Sequence, residues 1–218
     1  MKDEKQGRII SLTIDGKTFE APEGQKLLWV ALEHGIYIPH LCAIQERETP
    51  EASCRLCFAE VKGKPGPVMA CAEGVFEGME VETETPRVLR LRRRAAELLI
   101  ASHPADCPRC GKNRRCELQR IAQKLKLKLK PRRLRFLPRP LPADSSHPAL
   151  LLDPGKCLLC GRCVWVCRER VKCGVLHFTH RGFDTRISTF LGVPLSQTRC
   201  TGCLACVRAC PVGALVEK

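Results

Sequence analysis

The stretch HPADCPRCGKNRRC, residues 103–116, sets one histidine, His103, beside three cysteines, Cys107, Cys110 and Cys116. Farther on, KCLLCGRCVWVC at 156–167 returns as RCTGCLACVRAC at 199–210, with every cysteine displaced by 43 residues. Earlier in the chain Cys42, Cys54, Cys57 and Cys71 form a looser set, C-x11-C-x2-C-x13-C. Thiolate is a soft donor and imidazole a borderline one, and both hold zinc or iron, so these spacings point to metal chemistry. Disulfides are the alternative use of sixteen cysteines. The amino terminus, MKDEKQGRIISLTIDG, has no apolar signal core, and no run of eighteen apolar residues offers a membrane helix. A cytoplasmic chain with no direct membrane insertion is the expectation, and in a reducing compartment clustered thiols bind metal.

The repeat is the most specific of these signals. Each copy reads C-x2-C-x2-C-x3-C, with Pro211 after the second, and this is the bacterial ferredoxin run in which the fourth cysteine serves the other cluster. The spacing assigns one [4Fe-4S] cluster to Cys157, Cys160, Cys163 and Cys210. It assigns another to Cys200, Cys203, Cys206 and Cys167. Zinc sites pair two CxxC units and rarely use a CxxCxxC triple. The set at Cys42, Cys54, Cys57 and Cys71 contains one CxxC and fits either a structural zinc or a [2Fe-2S] cluster, and it departs from the plant-type C-x4-C-x2-C spacing. Read by itself, the His103 set is equally a zinc knuckle or an iron-sulfur site. Cys173 fits none of the four sets and is expected as a buried free thiol. His34, His40, His147, His177 and His180 lack ligand spacing and are expected to be structural or exposed, while Trp165 is placed to shield a cluster from water.

The elements that must hold these residues are legible in outline. Residues 8–21 alternate apolar and polar side chains around Asp15-Gly16, a hairpin signal. PEGQKLLWVALEHG follows, a helix with Leu27, Leu28, Val30, Ala31 and Leu32 that stops at Gly35. VFEGMEVETE at 75–84 reads as a strand beyond the cysteine loop. From Pro86 a second helix places Val88, Leu91, Ala95, Leu98 and Leu99 on one face and leads into His103. The expected class is α+β in three parts: a β-grasp [2Fe-2S] ferredoxin-type domain over 1–85, a small helical domain with the His103 set and a basic segment over 86–145, and a two-cluster bacterial ferredoxin-like domain over 146–218.

Formal net charge is +14. If fifteen thiolates hold four oxidised cluster cores, it falls to about +7. Residues 112–140 carry twelve Lys or Arg against a single acid, Glu117, and include KLKLKLK before Pro131, Pro138 and Pro140 interrupt regular structure. Phe136 is the one aromatic there, which argues against nucleic acid, since single-strand binders stack bases on several rings. Leucines alternating with lysines suit an edge strand or extended arm on an acidic partner subunit.

The whole pattern resembles the N-terminal iron-sulfur region of the large subunit of respiratory complex I. The same module occurs in the diaphorase iron-sulfur subunit of NAD-reducing hydrogenases, in NAD-dependent formate dehydrogenases and in multi-cluster [FeFe]-hydrogenases. CRLCFAEV, HPADCPRCGKNRRCELQ, CGRCVWVC, HRGFDT and CPVGAL carry the resemblance, from residue 9 to VGAL at 212. It implies that His103, Cys107, Cys110 and Cys116 hold a [4Fe-4S] cluster, and that Cys42, Cys54, Cys57 and Cys71 hold [2Fe-2S]. The implied role is an electron-transfer subunit of a hetero-oligomer, relaying electrons between a flavin and NAD(P)-binding diaphorase subunit and a catalytic hydrogenase or formate dehydrogenase subunit. No catalytic base or nucleophile of its own is required. No G-x-G-x-x-G follows a strand, so nucleotide binding by this chain has no support. A free-standing multi-cluster ferredoxin and a zinc-rich nucleic-acid-binding protein are the rival classes.

Overall fold

A computed structural model describes residues 8–130 and 134–218. The first seven residues of the amino-terminal stretch, and Pro131, Arg132 and Arg133 of the basic run, lie outside the described residues. The chain divides into two compact units, with the boundary between Ala95 and Ala96. Strands and helices are mixed in both. The segments 96–145 and 146–218 fall in one of these units.

The first unit is built on the expected hairpin. Strands β1 (Ile9–Ile14) and β2 (Lys17–Pro22) pair antiparallel, Ile14 opposite Lys17. Asp15 and Gly16 both take positive φ, 49° and 77°, as a two-residue turn between right-twisted strands demands. Helix α1 (Leu27–Glu33) buries Leu27, Leu28, Val30 and Ala31, and the chain turns out of it at Gly35, φ 76°. Three further strands, β3 (Phe58–Val61), β4 (Val68–Met69) and β5 (Met79–Glu82), complete a sheet of order β2-β1-β5-β3-β4. β1 and β5 run parallel, Leu12 beside Met79, and β3 pairs antiparallel with β5. Two of these strands lie inside the segment expected to be only a cysteine loop. The core beneath α1 is aliphatic, from Ile10, Leu12 and Ile14 through Val30 and Ile38 to Val61 and Val81.

Helix α2 (Pro86–Ala101) forms as expected, but its buried row is different. Val88, Arg92, Ala96 and Ile100 are interior, four residues apart, whereas Leu98 is 65% exposed. The hydrophobic count misplaced the face because an arginine occupies it. Arg92 is 1% exposed and donates from Nε (3.1 Å) and Nη2 (2.5 Å) to the Phe58 carbonyl, which partners two of its nitrogens.

In the second unit, helix α3 (Glu117–Lys124) buries Leu118, Ile121 and Ala122, with Leu125 continuing the row. The KLKLKLK run is not a strand. Leu125 is buried, Leu127 and Leu129 pack against the unit's own core, and Lys126, Lys128 and Lys130 are exposed. Its apolar edge packs internally, while its lysine edge stays exposed. Strands β6 (Leu150–Leu152) and β9 (Leu215–Glu217) pair antiparallel. Between them come α4 (Arg162–Trp165), continued by a π-helical turn at Val166–Arg170, then the hairpin β7 (His177–Thr179) and β8 (Arg186–Ser188), then α5 (Ala205–Ala209). Among the described residues, no helix is long and apolar enough to cross a membrane.

Candidate cluster-binding sites

In the first unit the four cysteines meet as two thiol pairs. Cys42 hydrogen-bonds Cys54 and Cys57 hydrogen-bonds Cys71, and all four are buried. The scaffold explains the second pair. Ala70 N donates to the Cys57 carbonyl (2.9 Å), and the first turn of α1 donates from Leu28 N to Ala70 O and from Leu27 N to Glu73 O, both 2.9 Å, pinning the loop that carries Cys71. Arg55, between Cys54 and Cys57, takes a left-handed φ of 53° that bends the CxxC segment back on itself. The hydrogen bond with Cys54 pushes Cys42 down to about 5, and the bond with Cys57 lowers Cys71. Their partners are pushed up, first by the same bond and then by burial. Two buried thiol pairs suit a cluster of two irons in which each iron takes two thiolates.

His103 is buried, and its Nδ1–H donates to the Lys156 carbonyl at 3.1 Å. That bond fixes the tautomer and leaves the Nε2 lone pair available, as metal-bound imidazoles require. Burial holds its pKa down, so the ring stays neutral. Cys116 caps the start of α3, and burial raises its thiol, with the charges of Cys110 and Cys107 adding to the effect. The three sulfurs thus share one neighbourhood. This loop is bound to the end of the repeat: Glu117 N donates to Pro211 O (2.9 Å) and Lys112 Nζ to Val207 O (3.1 Å). A Cβ on Gly213 would collide with Cys110 Sγ, so only glycine lets the backbone pass beside that sulfur.

The repeat builds two pockets, and the fourth cysteine of each copy sits in the other's. Cys157, Cys160, Cys163 and Cys210 line one, closed by Leu152, Ile187, Val212 and Leu215. Cys200, Cys203, Cys206 and Cys167 line the other, with Leu150, Val175 and Leu195. The two copies match in backbone as well as sequence. Leu159 and Gly161 have φ of 54° and 74°, and Gly202 and Leu204, 43 positions on, have 68° and 58°. A left-handed leucine costs roughly 1–2 kcal/mol and persists only where its surroundings enforce it. Here each such turn swings the chain around a pocket. Leu159 N donates to Cys157 Sγ and Val175 N to Cys167 Sγ, both at 3.3 Å. Burial pushes the thiols up, Cys157 to about 11 and Cys160 and Cys206 to about 12, so iron binding must expel their protons. Arg139, from the basic segment, donates from Nη2 to the Cys157 carbonyl and offsets part of that shift.

Among the described residues, no three His, Cys, Asp or Glu side chains close on a point tightly enough to hold one metal ion. The thiols meet in pairs or line cavities instead. Cys173 departs from expectation: it is half-exposed rather than buried, its Sγ–H donates to the Arg199 carbonyl at 3.4 Å, and it lines the same pocket as Cys200, Cys203 and Cys206. His147 is buried against Gly202, where its Nδ1 accepts from Ala149 N at 3.1 Å.

Three family models match along the chain. Residues 7–86 match the 2Fe-2S iron-sulfur cluster binding domain, 92–130 the NADH-ubiquinone oxidoreductase-G iron-sulfur binding region, and 193–216 the 4Fe-4S binding domain. Over 214 residues the chain is 32% identical to the gamma subunit of the NAD-reducing hydrogenase HoxS of Cupriavidus necator, covering 96% of this chain and 87% of that subunit. The chain belongs to the NAD-reducing hydrogenase gamma-subunit family. A solved NAD+-reducing [NiFe]-hydrogenase in its H2-reduced state contains a chain of the same fold, with TM-score 0.85, 33% identity, and 96% and 87% of the two chains covered. The gamma-subunit module also occurs within longer proteins. The chain is 38% identical over 222 residues to the NADP-reducing hydrogenase subunit HndD of Solidesulfovibrio fructosivorans, of which it spans 36%. It spans 24% of the alpha subunit of NADPH-Fe(3+) oxidoreductase from Geobacter sulfurreducens, at 35% identity.

Proposed function

We propose that this gamma-subunit relative is a cytoplasmic electron relay of four clusters inside a hetero-oligomeric complex. The cluster-binding stretches are 1–85, 86–145 and 146–218. A [2Fe-2S] cluster belongs to Cys42, Cys54, Cys57 and Cys71. A [4Fe-4S] cluster belongs to His103, Cys107, Cys110 and Cys116, and two more to the crossed sets of the repeat. One-electron transfer is the chemistry these clusters supply when bound. The chain's own residues hold them, exclude water and set their potentials through ligand type, backbone N–H groups and burial. The partners are a flavin and NAD(P)-binding diaphorase subunit and a catalytic subunit that activates hydrogen or oxidises formate.

The observation that carries this reading is the pair of pockets in the second unit, each lined by three cysteines of one copy and the fourth of the other, with the His103 loop bonded to the segment that closes them. Iron and acid-labile sulfide analysis tests it, together with EPR of the reduced protein. The expected content is about fourteen irons per chain, and two irons or none would sink the reading. Native co-purification tests the complex. Isolation with a flavoprotein is the expected result, whereas a brown protein isolated by itself would make it a free-standing ferredoxin.

A further inference from the structure

We infer that Arg92 is the buried counter-charge of the [2Fe-2S] site and sets its reduction potential, an inference that rests on the proposed [2Fe-2S] ligands. Arg92 is among the largest fully buried side chains of the protein. A guanidinium cannot shed its proton at physiological pH, so burying it is costly unless an anion compensates. Among the described residues its hydrogen bonds run to a backbone carbonyl, that of Phe58. Phe58 follows Cys57 directly, so the cation stands one residue from a proposed ligand. Of the charges that act on Arg92, Cys57 comes first, ahead of Glu84 and Asp15.

A two-iron cluster with four thiolate ligands is dianionic when oxidised and trianionic when reduced. A cation fixed in low dielectric beside one edge stabilises the added electron more than the starting state, which raises the potential. The interior place of Arg92 on α2 follows from this role. Its helical row otherwise holds Val88, Ala96 and Ile100, and an apolar residue at 92 would complete the row with no desolvation cost. Helix α2 thereby brings a charge to a site whose four ligands all lie elsewhere in the sequence.

The test uses the full iron-loaded chain with Arg92→Gln, Arg92→Met and Arg92→Lys. Gln keeps a donor for the Phe58 carbonyl but no charge, Met keeps volume alone, and Lys keeps the charge. EPR-monitored redox titration reads the [2Fe-2S] midpoint, with the [4Fe-4S] signals of the same sample as internal references. The expected result is a downward shift of the [2Fe-2S] midpoint in Gln and Met, a midpoint near wild type in Lys, and unmoved [4Fe-4S] signals. Loss of the [2Fe-2S] signal from both neutral variants, with retention in Lys, equally supports the charge. A loaded Gln or Met protein with the wild-type midpoint overturns the inference, as does loss of the cluster from all three variants, which would make Arg92 a clamp between α2 and β3. Absence of a [2Fe-2S] signal from wild type defeats the ligand assignment itself, a separate result.

Discussion

The imidazole of His103 and the backbone carbonyl of Lys156 are joined across 53 residues by a 3.1 Å hydrogen bond from Nδ1–H. Lys156 immediately precedes Cys157, so the bond that orients one proposed ligand is anchored beside the first ligand of the next cluster. His103→Cys supplies an anionic thiolate for a neutral imidazole. The variant is expected to keep its cluster with a lower midpoint potential, read by EPR-monitored titration. A zinc site would give no redox signal in either protein.

Gly213→Ala places a methyl group where Cys110 Sγ already lies. Overpacking of this kind costs about 1–3 kcal/mol, and here it falls on a proposed ligand. Iron content is expected to drop by about four atoms per chain, with the [2Fe-2S] spectrum unchanged. Full iron content in the purified variant would mean that the loop at 107–116 yields without losing its cluster.

Cys173 supplies a fifth thiol to a pocket with four proposed ligands, and its Sγ–H donates to the Arg199 carbonyl. A thiol whose proton is held by a backbone carbonyl is not an iron-bound thiolate. Cys173→Ala should therefore retain full iron content and leave the [4Fe-4S] midpoints near wild type. Cys167→Ala should instead lose iron from that site. Iron loss in Cys173→Ala would promote Cys173 to a ligand.

The two units are expected to depend on iron to different degrees. In the second core cluster, five of eighteen buried residues are cysteines assigned to iron; in the first, two of eighteen are. After chelation under reducing conditions, the segment 96–218 is expected to become trypsin-sensitive before 8–95, because metal binding supplies more of its folding free energy. Gel analysis with mass spectrometry checks this, and earlier digestion of the first unit would contradict it.

The cysteine sets were legible because a cluster imposes short, fixed spacings on the loop that wraps it, and nothing else in the chain repeats at 43 residues. The hairpin at Asp15-Gly16 was legible because its turn needs two positive φ values. What escaped depended on partners distant in sequence. β4 is two residues long and exists only because Val68 and Met69 find Ala59 and Phe58. Helix α3 was hidden by the basic count across 112–140, although Leu118, Ile121, Ala122 and Leu125 hold helical spacing. Arg92 was passed over because periodicity scores apolar residues. Its hydrogen-bond partner lies 34 positions earlier.

The bonds from Glu117 to Pro211 and from Lys112 to Val207, with Gly213 seated against Cys110, also govern the order of manufacture. A ribosome delivers residues 103–116 long before 207–213, so the histidine loop emerges without the segment it bonds to. All four cysteines of the first unit have been made by then. The loop and the repeat can be joined only once 207–213 have followed.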